Sequence, residues 1–242
     1  MNEFYLYLAI GLIALLYSSV GHGGASGYLA IMTIYGLAPV EMRSSALMLN
    51  IVVAGTAFLS YFLAKPVNLK KLFPFLLGSV PAAFLGALIE TGTPLYKMLL
   101  SAVLIIAVVR LLLSIRNNHY EIREIPFLPA LLAGIGIGFL SGIIGIGGGI
   151  LLSPLLILLR WASIKESACL SAAFIFINSA SGLIGITVTG LHVTSLMTIC
   201  ILVAFIGGLI GSSMGSRVFP VALVKYTLMM VLLVASYKLL LA

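Results

Sequence analysis

Two glycine clusters are the part of this sequence most able to do chemistry. Val20-Gly21-His22-Gly23-Gly24-Ala25 and Ile144-Gly145-Ile146-Gly147-Gly148-Gly149 share one spacing at an offset of 124 residues. Each sits inside an apolar run, 4–36 and 126–159, that is more than 30 residues long. A straight helix of that length would measure about 50 Å, against a hydrocarbon core about 30 Å thick. Glycine permits the backbone angles that stop a helix and leaves its amides uncovered. Within a bilayer such bare backbone survives only where it is buried in protein or lines a cavity. A new half-helix is expected after each break, from about Ser26 and about Ile150, with its free N–H groups and positive dipole end turned into the interruption. The chemistry is that of an anion site made of backbone. Its expected members are Gly21, His22, Gly23, Gly24, Ala25 and Ser26 from the first cluster, and Gly145, Gly147, Gly148, Gly149 and Ile150 from the second.

Polar side chains nearby extend the candidate site. His22 lies within the first interruption, where it can donate to an oxyanion, carry a proton, or simply bond between helices. Ser26 and Ser153 stand near the half-helix starts, where a hydroxyl caps the helix or meets a ligand. Asn50 and Asn178 fall mid-helix, one position apart in the repeat register, with Ser44, Ser45, Ser171, Ser179 and Ser181 close in sequence. A buried amide needs a partner, so both Asn residues are expected to line the cavity of the breaks. The competing reading of the glycines is close helix packing, as in the small-residue pattern Gly134-Ile135-Gly136-Ile137-Gly138. Gly134 is expected to tolerate alanine. No Lys follows either cluster as a phosphate loop requires, and no metal or cofactor is implied.

The elements that must position these residues are membrane helices. Of 242 residues, 62% are hydrophobic and 8% are charged, with no Asp at all; soluble domains carry roughly a quarter charged residues. The six acids, Glu3, Glu41, Glu90, Glu121, Glu124 and Glu166, lie at or near the ends of apolar runs. The runs are roughly 4–36, 44–64, 72–90, 95–115, 126–159, 167–188, 193–215 and 219–241. The net charge of +7 comes from short loops, which orientation in a bilayer explains better than nucleic acid does. The start, Met1-Asn2-Glu3-Phe4, lacks a basic n-region, so the first run is taken as mature protein. Cys169 and Cys200 fall within apolar runs and are expected as buried thiols; Trp161, beside Arg160, is expected as an interfacial anchor. His119 and His192 are expected in loops.

The order of run lengths repeats. Besides the glycine clusters, Ser44 to Gly55 matches Ser171 to Gly182 at an offset of 127. Residues 1–115 and 126–242 are therefore expected to be two transmembrane repeats, joined by a cytoplasmic linker at 116–125. Each should contain a glycine-broken hairpin and three transmembrane helices. If each broken run returns to the side it entered from, the second repeat is inverted. Lys65, Lys70, Lys71, Arg110, Arg116, Arg123, Arg160, Lys165, Arg217 and Lys225 then share one side, against Arg43, Lys97 and Lys238. If each run crosses once, the repeats are parallel and the basic residues divide almost evenly. The positive-inside rule favours inversion, with both termini outside and no Lys or Arg at mid-depth.

On Gly145-Ile146-Gly147-Gly148-Gly149 with Ser153-Pro154-Leu155, on Gly21 to Tyr28, and on the duplicated layout, the chain resembles the TauE/SafE sulfite exporter family of bacterial membrane permeases along essentially its whole length. The first copy departs from the family pattern, with Ala25 and Ser26 in place of further glycines and Ala30 where the second copy has Pro154. The resemblance implies a multi-pass protein of the inner or plasma membrane that exports sulfite, a sulfonate or a related organic anion.

These readings converge on a secondary transporter, not an enzyme, moving a small anion by alternating access. The expected partners are the anion and the lipid bilayer, with a homo-oligomer compatible and nucleic acid excluded by the placement of the basic residues. An anion channel is the nearest alternative. An intramembrane enzyme would need a nucleophile and base, or metal ligands, facing one another. A structural scaffold would fill the glycine breaks with side chains.

Overall fold

Apolar stretches punctuated by Pro and Gly become helices whose ends those residues mark. The computed structural model describes residues 3–89, 121–190 and 195–218, with Met98, Ala102, Pro220 and Met230 as isolated positions. The helices are α1 (Glu3–Ser18), α2 (Ala25–Ile34), α3 (Pro39–Ala64), α4 (Phe73–Ala87), α5 (Phe127–Ile144), α6 (Gly149–Leu158), α7 (Ile164–Thr189) and α8 (Ser195–Ser213). A 3-10 turn, Leu69–Leu72, leads into α4, and a π-helical turn, Met214–Val218, ends α8. Pro39 opens α3, where its missing N–H costs nothing. Ser163 and Glu166 form a reciprocal capping box at the start of α7. Among the described residues five helical segments, 40–64, 69–87, 127–144, 164–188 and 196–218, are long and apolar enough to cross a membrane. This is an α-helical, multi-pass membrane protein. The expected third crossings at 95–115 and 219–241, like His119 and His192, lie outside the described residues.

Both overlong runs break where the glycines are. α1 stops at Ser18 and α2 starts at Ala25; α5 stops at Ile144 and α6 starts at Gly149. Each half-helix thus begins one residue earlier than expected. Gly145 takes a left-handed conformation (φ 83°), and its N–H and that of Ile146 both reach the Ser141 carbonyl, which closes the end of α5. In the first run the chain turns back on itself. Tyr17 on α1 bonds Ser26 on α2, and Gly27 sits against Ile13 and Tyr17. In the second, Arg123 N–H donates to the Arg160 carbonyl at 2.8 Å, joining the segment before α5 to the segment after α6.

Helix directions follow from the register of close contacts. α3 and α7 run antiparallel: Leu47 faces Gly182, Asn50 meets Ser179, and Phe176 faces Gly55. α4 lies parallel to α5, with Gly134, Gly138 and Gly142 seated on the backbones of Phe75, Ser79 and Ala83. α1 lies parallel to α8, with Gly207, Gly211 and Gly215 seated on Gly11, Leu15 and Ser19. In both pairs small residues at every fourth position bring two backbones together. The first helix of each half therefore packs on the last described helix of the other.

Four expectations change. Gly134 has no room for a methyl group, because a Cβ there would strike the Phe75 carbonyl; Gly136, with nothing within 4 Å, is the tolerant position. Trp161 is buried against Phe75, ring centroids 6.0 Å apart, rather than anchored at the interface. α3 begins at Pro39, not near Ser44, which brings Arg43 into the helix. Arg43 is 8% exposed, so a cation is buried among the helices after all. Cys169 and Cys200 are buried free thiols, as expected.

At one end of the bundle, Lys71 pairs with Glu166 at 2.8 Å and Lys165 Nζ donates to the Ser216 carbonyl at 3.1 Å. Loops 65–71, 121–125, 160–166 and the turn at 216 are thereby drawn together.

Candidate functional site

The two breaks meet at one side chain, Asn50. Its Oδ1 accepts from Ala25 N–H at 3.1 Å, at the start of α2. Its Nδ2 lies 3.4 Å from Ser179 Oγ on α7 and beside Gly147 in the second break. A Cβ on Gly23 would collide with the same amide, and one on Gly147 would come within 3.0 Å of Nδ2 and 2.6 Å of Ser179 Oγ. Ile175 on α7 touches Gly23, Gly147 and Gly149, so it too contacts both breaks. The His22 ring, whose Nδ1 is 3.0 Å from the Val20 carbonyl, leans on the Gly149 backbone across the gap.

The breaks are held in place reciprocally. Gly21 rests on the backbone of Ala168 near the start of α7, and Gly145 rests on the backbone of Arg43 near the start of α3. Arg43 then binds the second break from behind. Its guanidinium donates to the carbonyls of Ala87, Ile89 and Gly142 at 3.2, 3.1 and 3.0 Å, which lie at the C-terminal ends of α4 and α5. A cation at two negative dipole ends is the favourable arrangement.

Backbone donors line this meeting point. Among the described residues the N–H groups of Gly23, Gly24, Ser26 and Gly27, and those of Gly147, Gly148, Gly149 and Ile150, donate to no protein group. They are the unsatisfied donors of two helix starts. Ala25 differs, because Asn50 occupies its N–H. Residues 17–26 and 141–150 are all buried, so these donors, the half-buried Gly27 excepted, lie in the protein interior. Buried orphan donors call for a partner, and an oxyanion is the one that suits their number and sign.

Of the side chains expected here, Asn50 and His22 join the breaks. Ser26 is tied to Tyr17 (2.8 Å) and Ser153 to Ser171 (2.6 Å), so both hydroxyls already have protein partners. Asn178 turns back on its own helix, with Nδ2 donating to the Phe174 carbonyl at 2.9 Å and Oδ1 buried without a partner. Sequence reasoning overlooked Arg43, Ile175 and Tyr28. Tyr28 stood inside the motif already singled out, and Arg43 was assigned to a loop because the apolar run begins only after it.

The family model described as "Sulfite exporter TauE/SafE" matches residues 6–239. A probable membrane transporter protein, y4hK, of Sinorhizobium fredii is 30% identical over 239 residues, covering 97% of each chain. A probable membrane transporter protein, YunE, of Bacillus subtilis is 25% identical over 246 residues, covering 89% of each. No solved structure matches the chain.

Proposed function

This chain belongs to the TauE/SafE sulfite exporter family, and from that premise we propose that it is a secondary transporter of a small anion such as sulfite or a sulfonate, working by alternating access in the cell inner or plasma membrane. The observation that carries the reading is the convergence of the two half-helix starts on Asn50, with eight N–H groups left free in the two breaks. Each dipole end carries about half a positive charge, enough to hold an anion reversibly. Arg43, which lies against Gly145, is engaged by three carbonyls and leaves the capture to the backbone.

We further propose an inverted pair of repeats, spanning 1–115 and 126–242. The antiparallel contact of α3 with α7, which correspond in the repeat register, supports it. So does the bond from Arg123 to Arg160, which brings the two ends of the second broken run together. A two-fold axis in the membrane plane gives alternating access a natural pair of states, each a mirror of the other's openings. Asn50, Ile175, Tyr28, Ile137 and Phe174 pack on the break glycines, so on this reading they move apart to admit the anion. With the inside negative, expelling one negative charge releases about 2.3 kcal/mol per 100 mV, so outward movement is the favoured direction.

The test is flux in proteoliposomes containing the purified protein and radiolabelled sulfite. The reading expects saturable sulfite flux that a positive-outside potential drives outward. Cation flux indifferent to the anion would sink it.

A further inference from the structure

The first half-helix carries a polar group that the site described above does not use. Tyr28 is the fourth residue of α2, fully buried, and its hydroxyl has no hydrogen-bond partner. Helical side chains lean toward the N-terminus of their helix, and here that lean carries the phenol back over the break. A methyl group built on Gly24 would lie 2.8 Å from both the ring carbon Cζ and the hydroxyl oxygen. Gly24 (φ 97°) therefore leaves just enough room for the phenol, whose hydroxyl ends beside Gly24, a residue whose own N–H is free. His22 Nε2, the other unpartnered polar atom of this break, is equally buried. A buried hydroxyl without a partner costs about 1–3 kcal/mol, and a leucine would fill such a place without that cost. The second copy does have leucine there: Leu152 corresponds to Tyr28 at the offset that aligns the breaks, and it is fully buried.

We propose that the Tyr28 hydroxyl is a side-chain donor to the transported anion at the first break, adding to the backbone donors that both breaks supply. The inference rests on the anion-transport reading and deepens it. The hydroxyl adds to the backbone donors one whose removal leaves the helix start intact.

Tyr28→Phe tests this, because it removes one oxygen and keeps the ring that packs on Gly24. Purified wild type and variant are compared in proteoliposomes with sulfite and with methanesulfonate, and their unfolding temperatures are measured without anion. The expected result is a KM raised about tenfold for both anions, the loss of one hydrogen bond to a charged group, with Vmax within about twofold and an unfolding temperature equal to or above that of wild type. An unchanged KM in the variant, with saturable uptake by wild type, overturns this inference alone. A lowered unfolding temperature overturns it too, since the hydroxyl would then be a structural partner. Absence of anion uptake by the wild type removes the transport reading and this inference together.

Discussion

The two glycine breaks share a backbone device and differ in what surrounds it. Both end a long helix, turn through left-handed glycines and start a half-helix whose first N–H groups are free. The first is dressed with polar side chains: His22, Tyr28, and the Tyr17–Ser26 pair. The second shares Asn50 and Ile175 with the first, and is otherwise packed by Ser179, Ile137 and Phe174, while Arg43 behind it faces carbonyls. The comparison separates two jobs. On the proposed reading, backbone amides attract the anion at either break, and side chains give the pair its sidedness.

Valine at the left-handed glycines should have the largest effect. Gly24 and Gly148 have φ of 97° and 79°, and a Cβ on either would press within 2.8 Å of Tyr28 or of Ile137 and Phe174. A β-branched residue is a severe outlier in that region, so sulfite flux through Gly24→Val or Gly148→Val should fall at least about tenfold, while Gly136→Ala stays near wild type. Loss in only one of the two valine variants would show that a single break carries the anion.

Removal of Arg43 comes next, and it acts on stability. Arg43→Ala leaves three helix-end carbonyls behind the second break without their donor, a loss of about 3 kcal/mol. Thermal unfolding in detergent should register it as a drop of several degrees. Arg43→Lys should recover only part, because one ammonium cannot span carbonyls on two helices as the guanidinium fork does. A fully stable alanine variant would mean that the second break needs no such support.

The smallest of the three contrasts the amides. Asn50→Ala removes the group that touches both breaks and should lower flux about tenfold at equal protein level, as the loss of a buried hydrogen-bonding centre implies. Asn178→Ala removes a bond to its own helix, and should change flux by less than about threefold. Equal losses would place Asn178 back at the meeting point.

The sequence by itself determined a great deal: a helical membrane protein, and a break in each overlong run within a residue of where the half-helices start. Those properties are local or periodic, set by apolar length against bilayer thickness and by glycine's backbone freedom. Tertiary structure decided which side chains reach the breaks. Asn50 and Asn178 differ by a single residue in repeat register, and on a helix one residue is about 100° of rotation. That rotation turns Asn50 to Ala25 and Ser179, and turns Asn178 onto the Phe174 carbonyl. The same holds for Gly134, whose intolerance of alanine comes from a backbone 59 residues away at Phe75, and for Arg43, whose partners Ala87, Ile89 and Gly142 come from two other helices. Contacts between distant segments depend on helix rotation and depth, and these are settled only when all the helices pack together.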